Sequence, residues 1–154
     1  MAKHVATIDW SSDGQFASGR YSRRHEWRFD GGAVVPGSAS PDVVRVPFSD
    51  PAAVDPEEAL VAAASSCHML AFLWVAHKAG FEVASYRDDA EGTMSEVAPG
   101  RLGMTRIVLR PRIVFAGRAP AGEELDRLHH DAHEQCFIAN SIKSEIVIEV
   151  PAEA

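Results

Sequence analysis

The order in which residue patterns change along this 154-residue chain predicts an α+β fold. Three observations carry that expectation. Alternating, strand-like segments open the chain; a long apolar run headed by helix-start residues occupies its middle; and alternating segments return on either side of a second, shorter helical pattern. Lys3 to Trp10 and Gly19 to Phe29 read as strands, with the turn residues Ser11-Ser12-Asp13-Gly14 between them. Asp30-Gly31-Gly32 marks another turn. The segment from Pro36 to Pro56 also carries Pro41, Pro47 and Pro51, and it reads as a long ordered loop because proline removes a backbone donor and fixes φ.

Asp55-Pro56-Glu57-Glu58 then supplies an N-cap, a proline at the first helical position and two acids where the helix dipole favours them. The helix should run to Lys78, with Gly80 ending it, for about 36 Å. It is apolar on nearly every face, which predicts burial on all sides. Met69, Leu70, Phe72 and Trp74 are expected in the core, some of them also walling a substrate channel. One chain of this size has little material to surround such a helix, so a homodimer is expected.

Val83 to Met94 and Met104 to Phe115 read as two long antiparallel strands joined at Ala98-Pro99-Gly100. A second helix is expected from Glu123 to about Gln135, with Leu125, Leu128 and Ala132 on its buried side, and a last strand from Glu145 to Val150. The length suits a single domain over residues 1–154 with a core that needs no disulfide or structural metal.

A net charge of −7 argues against nucleic-acid or anionic-membrane partners. Met1 to Trp10 lacks the apolar core of a signal peptide, and Ser65, Ser66, His68, His77 and Lys78 interrupt the apolar run, so a cytoplasmic protein is expected. In a reducing compartment the two cysteines are more naturally packed or catalytic thiols than a permanent staple. Cys67 sits inside the apolar helix and Cys136 just beyond a His-rich run. A shielded thiol near cationic groups can serve as a nucleophile, and a second thiol can resolve its oxidised form.

Asp55-Pro56-Glu57-Glu58-Ala59-Leu60, then Ser65-Ser66-Cys67, then Cys136 before a final strand, resembles the OsmC/Ohr family of thiol-dependent organic hydroperoxide reductases. The resemblance spans nearly the whole chain in element order; the Pro56-Glu57 pair with Cys67 ten positions after Glu57 is its most specific part. It implies an intertwined homodimer with two sheets wrapped around long central helices and a site at the subunit interface. It implies Cys67 as the thiol that attacks peroxide, Cys136 as the resolving thiol that forms a disulfide with it, and Glu57 as the acid holding an active-site arginine. The implied partners are an organic hydroperoxide and a dithiol reductant of lipoyl type, with no cofactor or metal.

The arginine is the departure, because the family's Gly-Arg pattern after the first strand has no clean counterpart; Arg20, Arg23 and Arg24 are candidates. Arg23 is preferred, since Tyr21-Ser22-Arg23-Arg24-His25 resembles a sub-branch with a Tyr-Ser-Arg-x-His pattern, and Arg20 stands second. Along a continuous helix Glu57 lies about 15 Å from Cys67, so coupling between them needs either a helix break near Ser65-Ser66 or a bridge, which an arginine fork supplies by binding the carboxylate while its charge favours a thiolate.

Other readings attach to the same residues. Glu57 and Glu58 serve equally as first-turn acids, and the arginines from 20 to 28 as the exposed side of a strand. His129, His130, His133 and Cys136 offer spacings that could meet zinc in a hydrolytic site, against the plainer reading of histidines charged near a helix C-terminus. A non-enzymatic binder of small hydrophobic ligands, or an oxidation sensor, would use the same fold with the cysteines merely buried.

Overall fold

The computed structural model describes residues 1–151, and their contacts divide the chain into two units, residues 1–59 and residues 60 onward. The first unit holds an antiparallel sheet of β1 (Ala6–Asp9), β2 (His25–Phe29) and β3 (Val34–Gly37), in the order β1-β2-β3. β2 is shorter than its sequence pattern suggests, and the reason is local. Phe16–Ser18 forms a 3-10 turn closed by Gly19 at φ 72°, a left-handed conformation that interrupts any strand there. The Asp13 carboxylate then accepts the backbone N–H groups of Gln15 and Ser22, and the Trp10 indole donates to the Ser22 carbonyl at 2.9 Å. Residues 19–24 are therefore held as a loop, and Arg23 and Arg24 are not strand residues.

The expected loop from Pro36 to Pro56 also needs correction at its start, because Pro36 lies within β3, opposite Glu26. β3 is an edge strand, where a proline forfeits no ladder bond. Residues 38–55 are turns and irregular backbone with an isolated bridge from Val54 to Gly37, as the prolines favour, and Pro56 opens the helix that follows.

Helix α1 (Pro56–Lys78) starts where the sequence places it. Asp55 and Glu58 form a reciprocal capping box: the Glu58 N–H donates to Asp55 Oδ1 at 2.7 Å, and the Asp55 N–H donates to Glu58 Oε2 at 3.0 Å. At the other end Gly80 adopts φ 84°, letting the Phe81 N–H reach back to the Ala76 carbonyl. The expectation of all-round burial does not hold within the single chain. Ala64, His68, Phe72, Val75 and Ala76 form one buried stripe, whereas Leu70 is 61% and Trp74 56% exposed. By length and mean hydropathy α1 would also suffice to cross a membrane.

In the second unit the two long alternating segments each break in two. β4 (Val83–Asp88) pairs with β7 (Pro111–Phe115), and β5 (Glu91–Ala98) pairs with β6 (Arg101–Leu109), both antiparallel, while β8 (Glu145–Ile148) adds parallel to β6. The switch between sheets is marked by Asp88, whose Oδ1 accepts the Arg110 N–H at 2.6 Å in place of a ladder carbonyl. Helix α2 (Gly122–Gln135) starts one residue earlier than expected, and the Glu124 carboxylate accepts the Ala121 N–H at 2.9 Å.

Two apolar clusters fill this unit. Phe72, Val75 and Ala76 of α1 meet Phe81, Leu128 and Ala132; Ala64 meets Ile107 and Leu109 of β6. The first cluster brings α2 onto α1, and that packing positions the cysteines.

Candidate active site

Cys67 lies on α1, two residues after Ser65, and is partly buried. The Ser65 hydroxyl donates to Asp88 Oδ2 at 2.5 Å, so one carboxylate ties α1 to the point where β4 and β7 leave their neighbours. Cys136 follows the last residue of α2 and is 1% exposed. Burial pushes its thiol pKa up; the Ala139 N–H, 3.4 Å from the sulfur, pulls the other way; and the neighbouring Cys67 thiol raises it further. The two cysteines, remote in sequence, are thus brought together as free thiols at the meeting of α1 and α2.

His68, which follows Cys67 on α1, meets His129 of α2. His68 is 1% and His129 3% exposed, and the His68 Nε2 to His129 Nδ1 distance is 3.1 Å. Burial pushes both pKa values down to about 4, with His129 and His133 adding to the effect at His68 and Asp88 opposing it. This corrects the picture of His129 as a charged helix end, since it is neutral and buried, and Phe72 packs on its ring at 4.5 Å. Tyr86 is partly buried with its hydroxyl enclosed and unpartnered among the described residues, desolvation raises its phenol pKa, and its ring lies 5.9 Å from Phe72.

Sequence reasoning missed that His129 meets His68, that Asp88 acts on His68, and that Tyr86 packs against Phe72. For His129 a signal was available: it falls on the Leu125, Leu128, Ala132 stripe of α2, and a histidine on an apolar stripe is carried inside. Among the described residues no group of three His, Cys, Asp or Glu side chains is arranged to hold a metal ion.

The remaining candidates lie in the first unit. Arg23 donates through Nη1 to the Tyr21 carbonyl at 2.5 Å, and its guanidinium covers the Tyr21 ring at 3.7 Å. Its backbone N–H donates to the Phe48 carbonyl at 2.9 Å. His25 is fixed in one tautomer, with Nδ1 donating to the Arg23 carbonyl and Nε2 accepting from the Trp27 indole, each at 2.7 Å. Trp10, Phe16 and Tyr21 pack edge to face or tilted with centroids 4.9 to 5.8 Å apart. With Ile8, Arg23 and His25 they line a largely apolar cavity of about 480 Å³.

Arg24 is exposed and pairs with Asp50, and Arg20 is exposed. Glu57 is partly buried in the first turn of α1. Among the described residues neither Glu57 nor Arg23 makes an ion pair. α1 runs without a break from Pro56 to Lys78, so the possibility of a helix break at Ser65-Ser66 is removed.

The OsmC-like protein family model matches residues 49–151. The chain belongs to the OsmC-like family. An OsmC-like protein of unknown function from Vibrio cholerae O1 biovar eltor str. N16961 is 48% identical, with TM-score 0.94 over 98% of this chain and all of that one. An organic hydroperoxide resistance protein from Elizabethkingia anophelis shares the fold at 18% identity and TM-score 0.72, over 97% of this chain and 94% of its own. An organic hydroperoxide resistance protein OsmC from Legionella pneumophila does so at 16% and 0.70, over 97% and 96%. No curated protein shows significant similarity to the chain. The α+β arrangement of this OsmC-like protein is therefore that of the OsmC and organic hydroperoxide resistance structures.

Proposed function

We propose that the chain is a thiol peroxidase that reduces organic hydroperoxides to alcohols. The observation that carries this reading is the meeting of two free thiols, Cys67 and Cys136, in an OsmC-like fold. Their chemistry divides into three steps. The Cys67 thiolate attacks the distal oxygen of the hydroperoxide; the O–O bond breaks, the alkoxide takes a proton and leaves as alcohol, and the sulfur becomes a sulfenic acid. Cys136 sulfur then attacks the Cys67 sulfur; an S–S bond forms, the S–O bond breaks, and the departing hydroxide takes the Cys136 proton to leave as water. A dithiol reductant, of lipoyl type in the family reading, resets the pair by exchange and is itself oxidised to a disulfide.

Burial suits Cys136 to this order of events. A thiol kept protonated by its surroundings is a poor competitor for peroxide, so Cys67 reacts first. Arg23 is the arginine we assign to stabilising the thiolate and the departing alkoxide, with Glu57 orienting it, and a homodimer completes the site and covers Leu70 and Trp74 of α1. The apolar cavity beside Arg23 supports alkyl hydroperoxides as substrates over hydrogen peroxide.

The test is a pair of serine variants assayed with cumene hydroperoxide and a dithiol. Cys67→Ser should lose turnover by orders of magnitude, whereas Cys136→Ser should react once and stop as a sulfenic acid that a dimedone probe captures. Retention of more than about a tenth of the activity in Cys67→Ser would remove it as nucleophile. If both cysteines prove inert to hydroperoxide, the oxidation-independent binding role is the reading that remains.

A further inference from the structure

The buried pair His68 and His129 has no part in the three chemical steps, yet it joins the same two elements as the cysteines. His68 follows Cys67 directly on α1; His129 lies two turns before Cys136 along α2. The imidazoles lie 10° from parallel with centroids 5.4 Å apart, and the 3.1 Å N···N contact is a single bond in which one ring donates and the other accepts. Their outer nitrogens, His68 Nδ1 and His129 Nε2, are buried with no hydrogen-bond partner among the described residues. Two half-satisfied imidazoles are a worse filling for a core than two leucines. What they offer instead is direction. Apolar surfaces can slide past one another, whereas a hydrogen bond fixes a distance and an angle.

A disulfide is exacting about such freedom, with the sulfurs about 2.05 Å apart and a torsion near 90°, so small slips of one helix along another separate the thiols. The apolar packing of Phe72, Val75 and Ala76 on Leu128 and Ala132 holds α1 against α2 but, with one contact at Cys67 and Cys136, sets no sharp angle between the helices. A second contact at His68 and His129 fixes that angle. We propose that the His68–His129 hydrogen bond is a clamp that sets α1 against α2 for closure of the Cys67–Cys136 disulfide. The two histidines are positioning residues, and the proposal rests on reading Cys67 and Cys136 as a working redox pair.

The two contacting atoms differ, and that makes the test specific. Glutamine places its amide where Nε2 sits and asparagine where Nδ1 sits, so His68→Gln and His129→Asn keep the bond while His68→Asn and His129→Gln withdraw it. Each of the four variants buries one amide, which matches their general effects on folding. The readout is the equilibrium constant of the intramolecular disulfide in glutathione buffers, followed by thiol alkylation and mass spectrometry. His68→Gln and His129→Asn should stay within about twofold of the parent, and His68→Asn and His129→Gln should fall about five- to tenfold, the factor for one buried hydrogen bond. The double variant His68→Asn with His129→Gln should be no worse than either single one.

Equal behaviour of the glutamine and asparagine variants at both positions would overturn the clamp. So would loss of folding confined to the two bond-withdrawing variants, which would make the pair a determinant of folding alone. Glutathione disulfide supplies the oxidising equivalents and leaves as two glutathione thiols, so the result is independent of hydroperoxide. A protein inert to hydroperoxide that shows this pattern keeps the clamp and loses the peroxidase reading, and an active peroxidase without the pattern does the reverse.

Discussion

Cys136 is governed by burial, and Arg23 by an aromatic face and backbone carbonyls. The Glu57 and Arg23 pairing implied by family resemblance is not formed within the described residues, so its role needs a functional test. If the two act as a unit, Glu57→Ala and Arg23→Ala should each slow hydroperoxide reduction by a similar factor, and the double variant should be little slower than either. Additive losses would mean that they do not cooperate, and the same cycle should then be run with Arg20. Glu58→Ala is the control. It should leave the rate unchanged and lower stability by about 1 kcal/mol in urea unfolding, because Glu58 closes the capping box with Asp55. Dipole reasoning alone expected a smaller effect there, since it accounts for the acid's charge and leaves out its reciprocal hydrogen bond.

At the scale of elements, α1 was the most legible part of the sequence, because its start and stop are written in Asp55, Pro56, Glu58 and Gly80, which act on the backbone next to them. The divided strands were less so. Val83 to Met94 reads as one strand although the charged run Arg87-Asp88-Asp89 interrupts its alternation, and the break there is held by the Asp88 carboxylate, which takes the Arg110 N–H in a long-range contact. The expectation that Cys67 and Cys136 work as a pair came from likeness to a family, while the contact of His68 with His129 was hidden by the polar look of the run from His129 to Gln135. The histidine pair has a measurable consequence for the packing of α1 on α2. Both imidazoles have pKa values pushed down from 6.5 to about 4, so between those values the unfolded chain binds protons that the folded chain refuses. Stability should therefore be fully present above about pH 6.5 and decline as the pH falls towards 4, by up to about 1.4 kcal/mol per pH unit for each histidine. Urea unfolding across that range checks this, and His129→Asn should flatten the decline relative to the parent.

The whole molecule has an unfinished surface. Leu70 and Trp74 project from an α1 whose other side is packed, and the first unit exposes Ile8, Trp10 and Phe16. Scattered apolar side chains are ordinary, but two large ones on one apolar helix are what a partner subunit would cover. A homodimer should sediment at about twice the 16.7 kDa chain mass even at low micromolar concentration, and a clean monomer there would remove the interface site from the proposal.

The central claim is that Cys67 and Cys136 carry out one cycle of peroxide reduction together. The direct measurement is intact-mass and peptide-mapping mass spectrometry of the reduced protein after one equivalent of cumene hydroperoxide, with the alcohol quantified alongside. The account predicts one equivalent of alcohol, a loss of about 2 Da, and a single cross-linked peptide joining Cys67 to Cys136. Two thiols still free to alkylation with the hydroperoxide unconsumed, or alcohol formed while Cys67 remains a thiol, would contradict it.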